Sequence, residues 1–499
     1  MLADARAVPN GTVMHGDVCV VGAGAAGITL ARSLAGRGRR IVVLESGGLD
    51  FDEVTQGLYE GRIIGHSFTP LAVDRLRYLG GTTNHWAGEC EPFHADDFDD
   101  WPFGRDSLDR YYREAQEICQ LGPFTYDPSD WQTDRARPLK FAPGARMRTS
   151  VFQDSPPTRF GQVYREDLAK ADGVTVFLNA NAVDLASDEN ARRVTSLDAA
   201  CLKDNRFRVD AACYVLAAGA IENARLLLNA NKVQPRGLGN GFDLVGRYFM
   251  DHAVIDNAAT IWLASEPASL AFYLDGSDKL PGTKAHGYLR IAPEVRSREG
   301  LPPCSIAFRP SAWGFSKLAR QSIKSGHIPD HLGFEVGQMM RGIAASVENR
   351  YLRLYHVSGA APDRDSRVTL IDGVDALGLR QVALEWRLPH DFERDLRRTH
   401  EILGEELGRA GLGRLRINLD DPGRDAVAEA QNAHHHMGTT RMHSDPRQGV
   451  VDADCRVHGM ANLFITGSSV FPTYSADHPT MTVVALAVRL ADHLKTLLT

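Results

Sequence analysis

Residues 17–45 read DVCVVGAGAAGITLARSLAGRGRRIVVLE. Asp17-Val18-Cys19-Val20-Val21 is short and apolar throughout, the pattern of a strand buried on both faces. Gly22-Ala23-Gly24-Ala25-Ala26-Gly27 follows, and then Ile28, Leu30, Ala31 and Leu34 at helical spacing. Arg40-Ile41-Val42-Val43-Leu44 reads as a second buried strand, ending at Glu45. Strand, glycine turn, helix, strand and acid form the dinucleotide-binding fingerprint in its required context. Gly22 permits the tight turn, Gly24 lets backbone approach a pyrophosphate, and Gly27 lets the helix pack close to the strand. The helix N-terminus, at Ala25 and Ala26, faces the phosphates. Glu45 stands where a carboxylate accepts from a ribose hydroxyl. The motif alone does not separate FAD from NAD, and the carboxylate disfavours NADP.

The 499 residues allow one long domain or two to three ordinary ones, with 43% hydrophobic and 24% charged residues. A net charge of −7 without a long basic run argues against nucleic acid as a partner. The seven cysteines are scattered and form no CxxC pair, so neither a disulfide framework nor a structural zinc site is expected. No stretch approaches the length of a membrane span, and the first apolar run leads straight into glycines rather than a signal-peptide cleavage site. The expectation is a cytoplasmic protein, in which the sequon Asn10-Gly11-Thr12 has no meaning.

Gly80-Gly81-Thr82-Thr83-Asn84-His85-Trp86-Ala87-Gly88 suits a loop whose backbone hugs a flat ligand. Asp106 is placed to cap a packing helix through Tyr111, Tyr112, Ala115 and Ile118. Strands at Val174–Leu178 and 214–218, followed by Gly219 and a helix through Ile221, Ala224 and Leu227, read as a return to the nucleotide domain. Between about Val254 and Arg424, alternating strands at 367–370 and 382–386 and a helix from Phe392 to Leu407 suggest a second domain that covers the cofactor. The whole is expected to be an α/β protein. A Rossmann-like dinucleotide-binding domain would come from residues 1–95, 171–253 and 425–499, with 96–170 as a mixed intervening segment. An α+β substrate domain with an antiparallel sheet would occupy 254–424.

Asn432-Ala433-His434-His435-His436-Met437-Gly438-Thr439-Thr440-Arg441-Met442-His443 crowds four histidines together. Consecutive side chains diverge in regular structure, and no HExxH or acidic partner at metal spacing is nearby, so no metal site is expected. Leu463 to Ser469 reads as a buried strand entering a glycine turn, with a polar, strand-like piece before it at 450–457. After Asp477-His478-Pro479-Thr480 comes a final amphipathic helix carrying Met481, Val484, Ala487, Ala491 and Leu494 on its apolar side. Pro479 and Thr480 suit its first turn, and its N-terminus can stabilise negative charge developing on a reduced flavin.

VVGAGAAG at 20–27, GGTTNHW at 80–86, LAAGAIENARLLL at 216–228, GRYFMDH at 246–252, HHHMGTTRM at 434–442, and ITGSSVFPT with DHPTMTVVALA between 465 and 487 together resemble the glucose-methanol-choline (GMC) flavoprotein oxidoreductases. The resemblance covers nearly the whole chain and points to the pyranose-oxidase-like branch and bacterial enzymes oxidising sugars and glycosides. It implies FAD and oxidation of an alcohol, a secondary ring hydroxyl of a sugar or glycoside or, as the alternative, a non-sugar alcohol, by hydride transfer to flavin N5. The electron acceptor is open among oxygen, a quinone and a protein. By the same resemblance His435 is the base and His478 hydrogen-bonds the substrate oxygen, or the roles are reversed; His434, His436 and His443 match no catalytic position. Cofactor contacts are implied at Gly22, Gly24, Ala25, Ala26, Gly27, Glu45, Ser46, Gly80, Gly81, Thr82, Asn84, His85, Trp86, Ala87, Val183, Ala218, Gly219, Gly467, Ser468, His478, Pro479 and Thr480. His85 occupies the place where some relatives join the flavin 8α-methyl covalently. Those relatives have Thr after the Trp, and Ala87 removes that hydroxyl, which bears on fast oxygen use.

The rival readings are an NAD-linked dehydrogenase, which leaves GGTTNHW and the C-terminal histidines unexplained, a flavin-binding protein without turnover, and a metal protein built on the histidine cluster.

Overall fold

The computed structural model describes residues 1–499 except 37, 204, 265–269, 311–350, 477 and 499. Val13–Val21 and Ile41–Leu44 are parallel neighbours joined through the helix Ala25–Leu34. They sit in an eight-stranded sheet. Its parallel part runs Leu2–Asp4, Val174–Leu178, Ile41–Leu44, Val13–Val21, Arg206–Leu216, and then Leu463–Ile465 against the far half of the last long strand. Val194–Ala200 and Asn181–Ser187 extend it antiparallel. Val18 to Val21 and Ile41 to Leu44 are all buried, as expected for strands covered on both faces. The last helix, Thr480–Leu497, packs on the first, and Met481, Val484, Ala487, Ala491 and Leu494 are fully buried. No helix among the described residues is long and apolar enough to cross a membrane.

A second eight-stranded sheet is antiparallel throughout, in the order Gly413–Ile417, Ala253–Leu263, Tyr351–Ser358, Cys304–Pro310, Ala285–Ile291, Met147–Asp154 and Glu89–Cys90, with Gln431–Asn432 beside Ala253–Leu263. Its two faces differ, as the two-residue period of a strand requires. Ile306, Phe308, Leu352 and Leu354 are buried in a core shared with Ile402, Leu403 and Leu407 of the helix Phe392–Arg409. The alternate residues face a large cavity.

Three local expectations change. Arg367–Val374 and Arg380–Trp386 pair with Gly61–Gly65 in a separate three-stranded sheet, not with the antiparallel one. Their buried Val368, Val382, Leu384 and Trp386 belong to the core of the nucleotide sheet. Asp106 lies inside a 3-10 turn, Arg105–Leu108, and caps nothing; the α-helix starts at Asp109. The 450–457 segment makes only isolated bridges, because its residues turn back on themselves.

On the buried face of the antiparallel sheet, His356 and His400 lie with rings 5.1 Å apart, both shut off from solvent. Burial pushes both imidazoles down, His400 to about 4, and His356 feels His400 in addition. A base whose folded pKa is depressed is protonated first in the unfolded chain. Stability is therefore complete above the ordinary histidine pKa and falls as pH drops from about 6.5 towards 4. For His400 alone the loss reaches roughly 3 kcal/mol below pH 4. Thermal unfolding followed between pH 4 and 8 should show this slope, and His400→Leu should flatten it. An equally steep slope in the variant would place the titrating groups elsewhere.

Candidate active site

A cavity of about 1580 Å³ runs from the glycine turn, along the ends of the parallel strands, to the open face of the antiparallel sheet. At its first end the backbone is arranged to come close to a ligand. Gly22 has φ +98°, and a Cβ there would sit 2.7 Å from the Ala217 carbonyl oxygen. A Cβ on Gly27 would sit 1.9 Å from the Gly22 carbonyl oxygen, so only glycine lets helix and turn meet. Gly24 is different: a Cβ there meets nothing within 4 Å and would project into open space. Gly24 is the N-cap of Ala25–Leu34, and Gly24, Ala25 and Ala26 line the cavity at the helix N-terminus. This is the arrangement that accepts a pyrophosphate.

The GGTTN loop closes on that turn. Gly80 N–H donates to the Ala23 carbonyl at 2.8 Å, and a Cβ on Gly81 would lie 3.2 Å from Gly24 Cα. Thr82, His85, Trp86 and Ala87 line the cavity beside Gly81. Glu45 and Ser46 line it too, and so do Ala218, Gly219, Gly467, Ser468, His478, Pro479 and Thr480. The Glu45 carboxylate accepts from Ala23 N–H at 2.8 Å and Gly47 N–H at 3.0 Å, tying the glycine turn to the second strand. Burial nevertheless leaves its pKa raised.

Four of the residues expected to touch a cofactor do not line this cavity. Gly22 and Gly24 are in the wall, but Gly27 is spent on helix packing. Gly80 abuts Gly161, and the Asn84 amide donates back to the Leu79 carbonyl at 2.9 Å, so both shape the loop from behind. Val183 is replaced in the wall by Ala180, Asn181 and Ala182, the residues that enter the strand Asn181–Ser187.

The far end of the cavity holds the histidines. Met250 and Met437 exchange two backbone hydrogen bonds, at 3.0 and 2.9 Å. Asn432 pairs with Ala253, and Gly438, Thr440 and Met442 donate to Ser468, Ser469 and Val470. GRYFMDH, NAHHHMG and the glycine turn at 467 are thus woven together. Within the weave the three consecutive histidines diverge. His434, at φ +64°, and His436 both bind the carboxylate of buried Asp74, one on each oxygen. His435 points the other way. Its Nδ1 lies 2.8 Å from Nδ1 of His252, and its ring is 5.6 Å from that of His478. Asp251 accepts the His435 backbone N–H at 2.9 Å.

Burial would raise Asp74, but His436 and His434 hold it well below the usual carboxylate range. The Asp74 bond raises His434 in turn. Asp251 is pushed up to about 6, by burial first and by Asp74 in addition, against the pull of His436. His435 is pushed well below an ordinary histidine by burial, then by His252 and His478. Among the described residues no group of three or more His, Cys, Asp or Glu side chains is arranged to hold a metal ion.

Three elements of the site carry no sequence motif for the role they take. His252 is fully buried, and its Nε2 binds the carbonyl of Ser475. Glu89 Oε2 lies 2.7 Å from His478 Nε2. The antiparallel sheet contributes a polar wall: Asp256, Ser305, Arg309, Arg353 and Tyr355. Arg353 pairs with Asp256 at 3.1 Å, and the Arg309 guanidinium lies 3.4 Å over the Tyr355 ring. Tyr288 donates to buried Glu91 at 2.8 Å. GRYFMDH flagged the neighbourhood of His252; nothing local flagged the others.

The family described as FAD dependent oxidoreductase matches residues 17–238, and the family described as GMC oxidoreductase matches 362–487. The chain is 25% identical to the fructose dehydrogenase large subunit of Gluconobacter japonicus, over 96% of this chain and 97% of that one. It is 23% identical to 2-methyl-1,2-propanediol dehydrogenase of Mycolicibacterium austroafricanum, over 96% and 95%. A solved structure of formate oxidase has the same fold, with a TM-score of 0.61 and 16% identity over 98% of this chain and 99% of that one. Glycine cradle, histidine weave and these matches agree: the chain belongs to the GMC oxidoreductases, FAD-dependent enzymes acting on CH–OH donors.

Proposed function

We propose that this protein oxidises a secondary ring hydroxyl of a sugar or glycoside, with His435 as the base. The observation that carries the reading is the chain Ser475 carbonyl, His252, His435. A carbonyl only accepts, so His252 Nε2 must carry its proton. A neutral His252 then offers a lone pair at Nδ1, and His435 must donate to it from its own Nδ1. This leaves Nε2 of His435 as the lone-pair nitrogen, in a ring that lines the cavity. The tautomer is set by the protein before substrate arrives.

Bound FAD supplies the electron-accepting ring that takes the hydride equivalent from the alcohol carbon. Gly22, Gly24, Gly81, Glu45 and Ser46 fit its nucleotide half, and His85, Trp86, Ala87 and Thr480 the rest of its path. His435 Nε2 takes the hydroxyl proton. A depressed pKa keeps that imidazole neutral, with the Nε2 lone pair free to accept a proton, down to acidic pH. His85 is lowered too, by burial and by His434, so its ring is neutral, the form a covalent bond to the cofactor requires. Colour remaining in the acid-precipitated pellet would report that bond.

The sugar reading is supported by the polar wall, whose carboxylates, guanidinia and Tyr355 hydroxyl offer several partners to a polyol, and by the likeness to fructose dehydrogenase. The likeness to 2-methyl-1,2-propanediol dehydrogenase favours a smaller non-sugar alcohol as the second reading. Anaerobic addition of sugars, glycosides and simple diols to the yellow enzyme separates the two by which class bleaches the flavin bands. Re-oxidation by air, or only by a quinone or a protein, then identifies the acceptor. Seven free, buried cysteines support a cytoplasmic location.

Two variants test the site. His435→Ala should lower the rate of flavin reduction by roughly 10²–10⁴-fold, with the bound flavin spectrum unchanged; a normal rate would remove His435 as base. Gly24→Val should fold with wild-type circular dichroism, since its φ of −83° suits any residue and its Cβ meets no protein atom, yet purify without flavin. A yellow Gly24→Val protein would move the pyrophosphate away from this turn.

A further inference from the structure

The two imidazoles at the far end of the cavity differ in what holds them. His435 is bonded through Nδ1 to another imidazole, and the carboxylate of Asp251 is occupied with its backbone N–H. His478 is bonded through Nε2 to a carboxylate, Glu89, at 2.7 Å. Glu89 opens the two-residue strand Glu89–Cys90, which is held in register by Asp154 and Gln153 of Met147–Asp154. Both residues of the pair line the cavity.

We infer that Glu89 is a positioning residue that keeps the shared proton of the histidine pair on His478, so that the cavity presents an imidazolium beside a neutral base. The inference rests on the proposed roles of His435 and His478. Two imidazoles this close repel when both are charged, so over a broad pH range one proton is divided between them. A carboxylate in hydrogen-bond contact favours the charged form of the ring it touches. Among the described residues His435 has no such contact, and a proton on His478 lowers it further. The surroundings act on the same pair. Phe152 presents its ring to His478 at 5.6 Å and brings no charge. His286, which is bonded to Asp154 at 2.9 Å, and Arg309 both act on Glu89. Burial works to raise Glu89, but His478 first, then His286 and Arg309, hold it lowered. Glu91, on the same strand, is engaged by Tyr288. With the proton so placed, His435 accepts the substrate proton while the positive charge of His478 stabilises the oxygen that loses it.

The test is a histidine ¹³Cε1 NMR titration of the FAD-loaded enzyme, with His478→Asn used to assign the His478 signal. In the wild type, His478 should titrate above about 6.5, the ordinary histidine value. In Glu89→Gln it should titrate about one to two units lower. The alkaline limb of the rate of flavin reduction should move to lower pH by the same amount, because His478 now loses its proton earlier. Glu89→Asp, which keeps the charge on a shorter stem, should recover part of the shift and supplies the reading if Glu89→Gln does not fold. Identical His478 titrations in wild type and Glu89→Gln would overturn the inference. The NMR titration needs no substrate. If no alcohol reduces the flavin, the oxidation reading fails while the Glu89–His478 result still stands or falls by itself.

Discussion

The two hydrogen bonds between Met250 and Met437 hold the active site together. They join a segment leading into the antiparallel sheet to one that lies, through Gly438, Thr440 and Met442, on the end of the nucleotide sheet. The crossing is tight. Gly438 has φ +85°, and a Cβ there would stand 2.2 Å from the Tyr248 carbonyl oxygen. The three histidines do not follow strand alternation: the backbone turns at His434, where φ is +64°, before it reaches the Met437 bridge. All three line the cavity, but His435 meets His252 and His478 while His434 and His436 meet Asp74.

The acid that His434 and His436 meet would be costly to bury alone. Asp74 and Asp251 are both buried, and two ionised carboxylates in one apolar pocket would repel each other and lack solvation. His434 and His436 take Asp74, while Asp251 accepts backbone N–H groups from Ala433 and His435. The flanking histidines therefore serve the middle one without touching its chemistry. They neutralise the acid beneath the weave, and the second acid fixes the backbone from which His435 projects. Phe68 and Phe249, with rings 5.6 and 5.7 Å from His436, close the pocket.

What was legible in the chain divides along the range of the forces. The nucleotide turn could be read because its constraint is local: Gly22, Gly24 and Gly27 each answer to backbone within a few residues or to the adjacent strand end. Regular geometry led to the expectation that His434, His435 and His436 diverge; the structure reaches that divergence through the left-handed turn at His434. Asn84 and Gly80 stand behind the cavity wall, which was not legible because a loop's outer and inner residues have the same composition, and only the fold shows that Asn84 turns back to Leu79. Val183 missed by one position, where the strand starts. The partners that set protonation were beyond reach. Asp74 meets His434 across 360 positions and Glu89 meets His478 across 389, and no periodicity connects them. Likewise 367–374 and 380–386 showed their alternation, but not that Gly61–Gly65 was the strand they would join.

The polar wall gains its meaning from being already matched. Asp256 is paired with Arg353, Glu89 with His478, Arg309 lies on Tyr355, and Glu91 accepts from Tyr288. A charged ligand entering such a wall would have to break an ion pair and leave one partner partly desolvated, a loss that its own new contact would have to overcome. A hydroxyl meets no such obstacle. It donates to a carboxylate and accepts from a guanidinium at once, so it can insert between paired groups without stripping either. Several hydroxyls on one rigid ring can do so together at little entropic cost. A single small diol gains only one or two such insertions. The density of matched charges opposite His435 therefore favours a neutral polyhydroxylated ring over an acid, an amine or a simple alcohol, and it does so independently of which residue takes the proton.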